Sequence, residues 1–188
     1  LAVIPFYEIG QLWERIVAGA DPGWPEGWYS RLAVSMLNPF ALFGCGWVLM
    51  LLSRELGFQN GTSRWLVVGF LFSTMAWPYV KTFYPQPSVT FLVLWMVFSA
   101  LQWRKTLENK WLWILGLGGC LAMLFRLSSI IVLPVLIAYL IFGSPPQKRW
   151  SWVFPITFLT GVSIGLTLIY NEYRFGSFFE TGYYETAW

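Results

Sequence analysis

Long apolar runs, each ended by a short polar segment, set the pattern of this chain. A transmembrane helix needs about 20 mainly apolar residues, with some tolerance for length. Six runs approach that length, and we predict a helix over each of them: 32–52, 65–79, 88–103, 111–125, 127–142 and 152–170. Arg126 is the hinge between the fourth and the fifth. The pattern therefore predicts an all-α, polytopic transmembrane bundle of about six spans.

The first twenty residues are apolar but also contain Glu8, Glu14 and Arg15, which favours an interfacial helix over a further span. Residues 21–27 contain two prolines and two glycines and are predicted to form a loop. We expect residues 1–188 to form a single transmembrane domain. Because the sequence begins at Leu1 and stops without a tail, we also expect it to be part of a longer chain.

Charge is scarce and unevenly placed, which supports a membrane interpretation and gives an orientation. Only 11% of the residues are charged, against about a quarter in soluble domains. If the spans alternate, loops 53–64, 104–110 and 143–150 share one face. Those loops hold seven basic residues against two acidic ones, namely Arg54, Arg64, Arg104, Lys105, Lys110, Lys148 and Arg149 against Glu55 and Glu108. The positive-inside rule predicts that this face is cytoplasmic.

Composition also excludes several kinds of chemistry. The chain has no histidine, which removes the commonest ligand of haem and of mixed zinc sites and excludes a histidine base. Its two cysteines, Cys45 and Cys120, lie within apolar runs and are predicted to be small buried residues, not a disulfide. We expect no cofactor and no metal. The net charge of +3 lies mainly on the predicted cytoplasmic loops, so we expect membrane lipid as a partner and no nucleic acid.

Three polar clusters lie in the predicted outer connections. Lys81 lies in the proline-rich segment 77–87, where it either meets an anionic headgroup or extends to water. Arg126 lies between two apolar runs and could bind phosphate through its planar fork, with Ser128 and Ser129 as added donors. The alternative is an interfacial arginine paired with lipid or with a carboxylate. The third cluster, 171–183, contains Arg174 and by itself is a polar loop.

Four segments, in this order, resemble the bacterial GT-C class of membrane glycosyltransferases, in the polyprenyl-phosphate-sugar-dependent group related to protein mannosyltransferases and aminoarabinose transferases. The most specific is the N-x-x-R-F-G-x-x-x-x-T-G-Y run that starts at Asn171. The segment W-P-Y-V-K-T-F, residues 77–83, resembles an outer turn of that family. Residues 1–15 and 31–57 resemble the stretch after its first large outer loop and the next span, and Arg126 with Pro134 fits a following helix pair.

The resemblance implies transfer of a sugar from a polyprenyl-phosphate carrier to an acceptor on the outer face of a bacterial inner membrane. It implies that Lys81, Arg126 and Arg174 bind the lipid phosphate and face one outer cavity. The sugar or acceptor pocket is expected from five further residues, namely Tyr84, Gln86, Asn171, Glu180 and Tyr183. The family's catalytic acid belongs to a loop that we expect upstream of Leu1, so no catalytic residue is assigned within the chain.

Two other functions stay open. Many relatives have Glu before the proline that Pro87 matches, whereas this chain has Gln86, which cannot act as a base. That departure and the missing acid favour a non-catalytic accessory or scaffold subunit that contacts other membrane subunits. A channel or secondary transporter is the third alternative, but it would need ionisable residues near the bilayer midplane or two related halves.

Overall fold

The computed structural model describes residues 3–17, 27–73, 78–79, 84–143, 145–148 and 150–180. Within them the chain is all helical, with no strand. The seven α-helices are α1 (Ile4–Val17), α2 (Trp28–Glu55), α3 (Asn60–Ser73), α4 (Gln86–Thr106), α5 (Lys110–Phe125), α6 (Val132–Phe142) and α7 (Val153–Phe175). Short 3₁₀ helices cover Leu127–Ile131 and Pro146–Lys148. The chain forms two compact units, an N-terminal unit of residues 2–98 and a C-terminal unit of residues 99–188.

The N-terminal unit is built around α2. Gly10 of α1 lies against the backbone of Ser30, so close that a Cβ at position 10 would come within 2.4 Å of the Ser30 Cα. Glycine is therefore required at this helix crossing. On α2, Gly44 faces the ring of Phe91 on α4 at a similarly short distance. The buried Cys45 donates through Sγ to the backbone oxygen of Pro87, with 3.7 Å between sulfur and oxygen.

The C-terminal unit is built on the pair α5 and α7. Gly116 lies against the Pro155 carbonyl oxygen and the side chain of Leu159, and Ser163 Oγ donates to the Cys120 carbonyl oxygen over 3.1 Å. Both contacts advance in the same direction along the two helices, so α5 and α7 are parallel. The chain must therefore return between them, and the 3₁₀ turn with α6 makes that return.

The connections before α5 and before α7 lie together at one end of this unit. Lys148 Nζ donates to the Leu107 carbonyl oxygen over 2.9 Å. Arg104 Nε donates to the Gly143 carbonyl oxygen over 3.1 Å, and its guanidinium carbon lies 4.6 Å from the ring centre of Tyr139. The two loops that the charge pattern assigned to one face, 104–110 and 143–150, are thus in contact; Arg149 itself lies outside the described residues.

Two of the described helices, α2 and α7, are long and apolar enough to cross a membrane. Only 33% of the apolar window of α2 and 17% of that of α7 is buried within the protein. Phe40 and Phe43, one turn apart on α2, are 70% and 69% exposed. A core helix of a soluble protein would bury more of such a surface, and these two helices could cross a membrane by length and composition.

The described helices support two spans by length and composition, and they do not support six. At a rise of 1.5 Å per residue, α3 extends about 21 Å and α6 about 17 Å, against an apolar bilayer thickness of about 30 Å. α5 and the segment 127–142 are apolar but short. α4 has 21 residues, but glutamine, serine and threonine lower its hydropathy.

Two boundaries differ from the sequence prediction. A continuous helix was expected over 127–142, but its first five residues form a 3₁₀ helix and α6 begins only at Val132. The run from Asn171 onward was interpreted as a loop, but α7 continues through Phe175. The expected N-terminal helix is present as α1, and the predicted loop 21–27 lies, apart from Gly27, outside the described residues.

Candidate functional site

Arg126 stands where α5 ends. Its backbone is extended, with φ −155° and ψ 112°, and its N–H donates to the Ala122 carbonyl oxygen over 2.9 Å. The hinge expected at this residue is therefore present. Its side chain is exposed, and among the described residues it makes no hydrogen bond or ion pair. An arginine at the end of an apolar helix with no protein partner is available to an anion.

Ser129 lies one turn beyond Arg126 and supplies a second free donor. Its backbone N–H donates to the Arg126 carbonyl oxygen over 2.9 Å, which closes the first 3₁₀ turn. The residue is 9% exposed, yet its Oγ has no hydrogen-bond partner in the described part of the chain. Burying a hydroxyl without a partner is unfavourable, so such a group is expected to meet water or a ligand. Ser128, the other expected donor, is exposed.

Arg174 lies in the last turn of α7 and is already held by aromatic neighbours. Its Nη1 donates to the Tyr170 hydroxyl over 3.2 Å, and its guanidinium carbon lies 5.0 Å from the ring centre of Phe175. Gly176 ends the helix in the left-handed conformation, with φ 69°, and donates its N–H to the Glu172 carbonyl oxygen. The remaining guanidinium N–H groups of this exposed side chain stay available.

Asn171 and Glu180 close the turn that follows α7. Asn171 is buried, and its Nδ2 donates to the Phe178 carbonyl oxygen over 3.2 Å, which folds the segment back onto the helix. Glu180 follows two residues later, and its Oε1 is buried without a hydrogen-bond partner among the described residues. The structure thus places an amide and an acid, both expected from the sequence, in one compact turn.

The parallel register of α5 and α7 relates Arg126 to Arg174. Because Cys120 is opposite Ser163, Arg126 is level with about Ile169. Arg174 lies five residues beyond that level, or about 7.5 Å further along the helix axis. Both cations therefore lie at the same end of the helix pair, opposite the end where loops 104–110 and 143–150 meet.

Asn38 holds Tyr84, one of the predicted residues of the N-terminal unit. This buried amide donates through Nδ2 to the Tyr84 carbonyl oxygen over 3.1 Å and to the Tyr79 carbonyl oxygen over 3.4 Å. The Tyr79 and Tyr84 rings meet edge to face, with centroids 5.9 Å apart. Gln86 begins α4, and its Oε1 is buried without a partner in the described part of the chain. Asn38 therefore joins Tyr79 and Tyr84 of the proline-rich segment through their backbone oxygens.

Two of the predicted site residues, Lys81 and Tyr183, lie outside the described residues. Their roles stay predictions.

A polar cavity between α1 and α2 was not identified from the sequence. It has a volume of about 520 Å³, and its lining includes Tyr7, Gln11, Glu14, Arg15, Ser30 and Arg31. The sequence does contain a pattern that could have indicated this cavity. Its α1 residues lie at the helical spacing i, i+4, i+7 and i+8, so they share one face of the helix, and basic and hydroxyl residues lie near the start of the next helix. The sequence does not show that α1 and α2 pack against each other, and only that packing brings the two sets of residues together.

The chain matches no protein-family model, and no curated protein and no solved structure is detectably similar to it.

Proposed function

We propose that this chain forms part of a membrane glycosyltransferase that moves a sugar from a polyprenyl-phosphate carrier to an acceptor on the outer face of the membrane. Support comes from the free donors at the end of α5 and from the sequence resemblance to the GT-C class. The proposal includes the finer topology of about six spans, with loops 53–64, 104–110 and 143–150 cytoplasmic, in a bacterial inner membrane.

The pair Arg126 and Ser129 is the observation that carries the proposal. A guanidinium and a hydroxyl, neither of which has a partner among the described residues, stand within one turn of each other at the end of an apolar helix. Phosphate oxygens accept hydrogen bonds from both groups, and the arginine fork can donate two of them in parallel. A lipid-linked phosphate would reach this position without leaving the membrane surface.

The chemistry needs charge stabilisation at that phosphate. The acceptor attacks the anomeric carbon of the sugar, and the bond from that carbon to the phosphate oxygen breaks with its electron pair. The negative charge therefore grows on the departing lipid phosphate, where fixed donors stabilise it most. The acceptor's proton passes to a carboxylate, which the resemblance places upstream of Leu1.

The turn after α7 is the proposed sugar or acceptor pocket. Glu180 has a buried oxygen with no hydrogen-bond partner in the part of the chain that the structure describes, and a sugar hydroxyl is a suitable donor to it. Arg174 lies near the same end and would add positive charge beside the phosphate. Asn171 completes the proposed pocket within the C-terminal unit. The roles expected from the sequence for Tyr84, Gln86, Lys81 and Tyr183 stay predictions.

Substitution of Arg126 tests the proposed phosphate site. In the full-length protein, in membranes supplied with a polyprenyl-phosphate sugar, we expect Arg126→Gln to lower kcat/KM about a hundredfold, because a donor to the developing charge is lost. Arg126→Lys keeps the charge but loses the fork, so an intermediate rate is expected. Release of free polyprenyl phosphate is the measurement.

Arg64→Gln is the matched control, because Arg64 is an exposed arginine on α3, outside the proposed site. We expect it to leave the rate unchanged. Equal rates for Arg126→Gln and the control would contradict the proposed site. Fixed-stoichiometry copurification with other membrane subunits, with no sugar transfer by the intact protein, would favour the accessory-subunit alternative.

A further inference from the structure

The polar cavity between α1 and α2 contains one acidic residue, Glu14, whose negative charge offsets part of the positive charge of its two arginines. Both carboxylate oxygens of Glu14 are used: Oε1 accepts the backbone N–H of Gly27, and Oε2 accepts the Ser30 hydroxyl over 3.4 Å. These contacts place a negative charge at the start of α2, where the helix dipole favours it. Glu14 is therefore a helix cap from a neighbouring helix, and its charge is committed to the fold.

The two arginines of the cavity have no such commitment. Arg15 on α1 and Arg31 on α2 line the same space, and among the described residues neither side chain makes a hydrogen bond or an ion pair. Tyr7 and Gln11 add a hydroxyl and an amide to the lining. The cavity of about 520 Å³ is therefore lined by neutral donors and by two guanidinium groups that have no partner within the described ranges, and this lining suits an anion with several oxygens.

The other flank of the same helix crossing is apolar. A groove of about 240 Å³ is lined by Ile9, Trp13, Leu32 and Met36, with Gly10 between the helices. It continues onto an exposed apolar face of α1, where Leu12 is 59% exposed and Ile16 is 66% exposed. A helix with one polar and one exposed apolar face is typical of segments that lie in the membrane interface.

We infer that the crossing of α1 and α2 binds an anionic phospholipid, with its phosphate between Arg15 and Arg31 and its acyl chains against the exposed apolar face of α1. The positive charge of the two arginines favours a negatively charged headgroup, and the exposed apolar face of α1 favours a ligand with acyl chains. This site consists of residues that the proposed transfer reaction does not use. It therefore stands or fails independently of that reaction.

Lipid binding to the purified full-length protein tests the inference. In detergent solution, with native mass spectrometry to count bound lipid, we expect phosphatidylglycerol to bind about tenfold more tightly than phosphatidylcholine. The double variant Arg15→Gln/Arg31→Gln should lose that preference. A second double variant, Arg15→Lys/Arg31→Lys, keeps the charges and should retain part of it, which separates loss of binding from loss of folding.

Arg54→Gln is the control for a change of charge elsewhere, because Arg54 is exposed in the last turn of α2 and is outside the cavity. It should bind phosphatidylglycerol as the native protein does. Equal binding of the two lipids, or an unchanged preference in the double glutamine variant, would overturn the inference. Displacement of phosphatidylglycerol by an equal concentration of inorganic phosphate would overturn the lipid as the occupant.

Discussion

At the scale of single residues, the two donors of the proposed phosphate site differ in how visible they are in the sequence. Arg126 is evident there, because a charge between two apolar runs is costly and demands an explanation. Ser129 was expected only as one of two added donors, because nothing in the sequence shows that its hydroxyl is buried and that of Ser128 is exposed. The 3₁₀ turn after Arg126 makes that burial, and only the folded structure reveals a hydroxyl without a partner.

Ser129→Ala separates binding from stability at this position. Removing a buried hydroxyl that lacks a partner removes an unfavourable desolvation, so we expect thermal stability to stay equal or to rise by up to about 1 kcal/mol. Affinity for polyprenyl phosphate should fall about threefold to tenfold, since one hydrogen bond to a charged group is lost. Thermal unfolding in detergent and equilibrium binding of polyprenyl phosphate measure the two effects.

Ser128→Ala is the matched control, because Ser128 is exposed and its loss should change neither quantity by much. A large loss of stability in Ser129→Ala would show instead that its hydroxyl has a structural partner.

At the scale of helices, the apolar runs in the sequence predicted where most helices lie. The residues at which the helices begin and end depend instead on backbone hydrogen bonding and conformation at proline and glycine. Pro134 has no N–H to donate and is accommodated best in the first turn of an α-helix, which is where α6 has it. The preceding residues form tighter 3₁₀ turns. At α7, the polar residues from Asn171 do not stop a helix; Gly176 does, through its left-handed conformation.

The small residues of α5 and α7 show a similar difference between pattern and packing. Both Gly116/Cys120 and Gly161/Gly165 have the four-residue spacing that permits close helix approach. Only the first pair lies in the contact, where a Cβ at Gly116 would meet the Pro155 carbonyl oxygen at 3.1 Å. A Cβ at Gly161 or Gly165 would meet no described atom within 4 Å. The spacing in the sequence identifies small residues on one face of a helix, but it does not show whether another helix packs against that face.

Gly116→Val is therefore expected to disrupt the pair of α5 and α7. The branched side chain would overlap the Pro155 carbonyl oxygen, and a backbone atom cannot move aside as easily as the end of a side chain. We therefore expect the free energy of unfolding to fall by about 1–3 kcal/mol. Gly161→Val introduces the same side chain into open space and serves as the control. Thermal unfolding of both variants in detergent checks the difference, and equal destabilisation would show that the α5–α7 contact does not depend on Gly116.

At the scale of the whole molecule, two independent observations place the connections before α5 and α7 at one end of the C-terminal unit. The charge pattern groups loops 104–110 and 143–150 on one face, and hydrogen bonds from Arg104 and Lys148 join those loops in the folded chain. Parallel packing of α5 and α7 requires the same arrangement, since both helices must start at one end. Which side of the membrane that end faces stays a prediction of the positive-inside rule.

Reporter fusions test that prediction. A fluorescent protein fused after Asn109 should be bright, because position 109 is predicted to be cytoplasmic, and alkaline phosphatase fused after Ser177 should be active, because position 177 is predicted to be exported. Fusing each reporter at the other position is the control and should give little signal. The reverse pattern would invert the orientation and place Arg126 and Arg174 on the cytoplasmic side, away from the proposed reaction.

The burial of both natural thiols has a practical chemical consequence. Cys45 is 0% exposed and Cys120 is 6% exposed, each within a helix and facing its neighbours. Since buried thiols are out of reach of water-soluble alkylating reagents, neither native cysteine is expected to react with them. Cysteines placed one at a time at exposed positions would then report their own surroundings, with both native cysteines left in place.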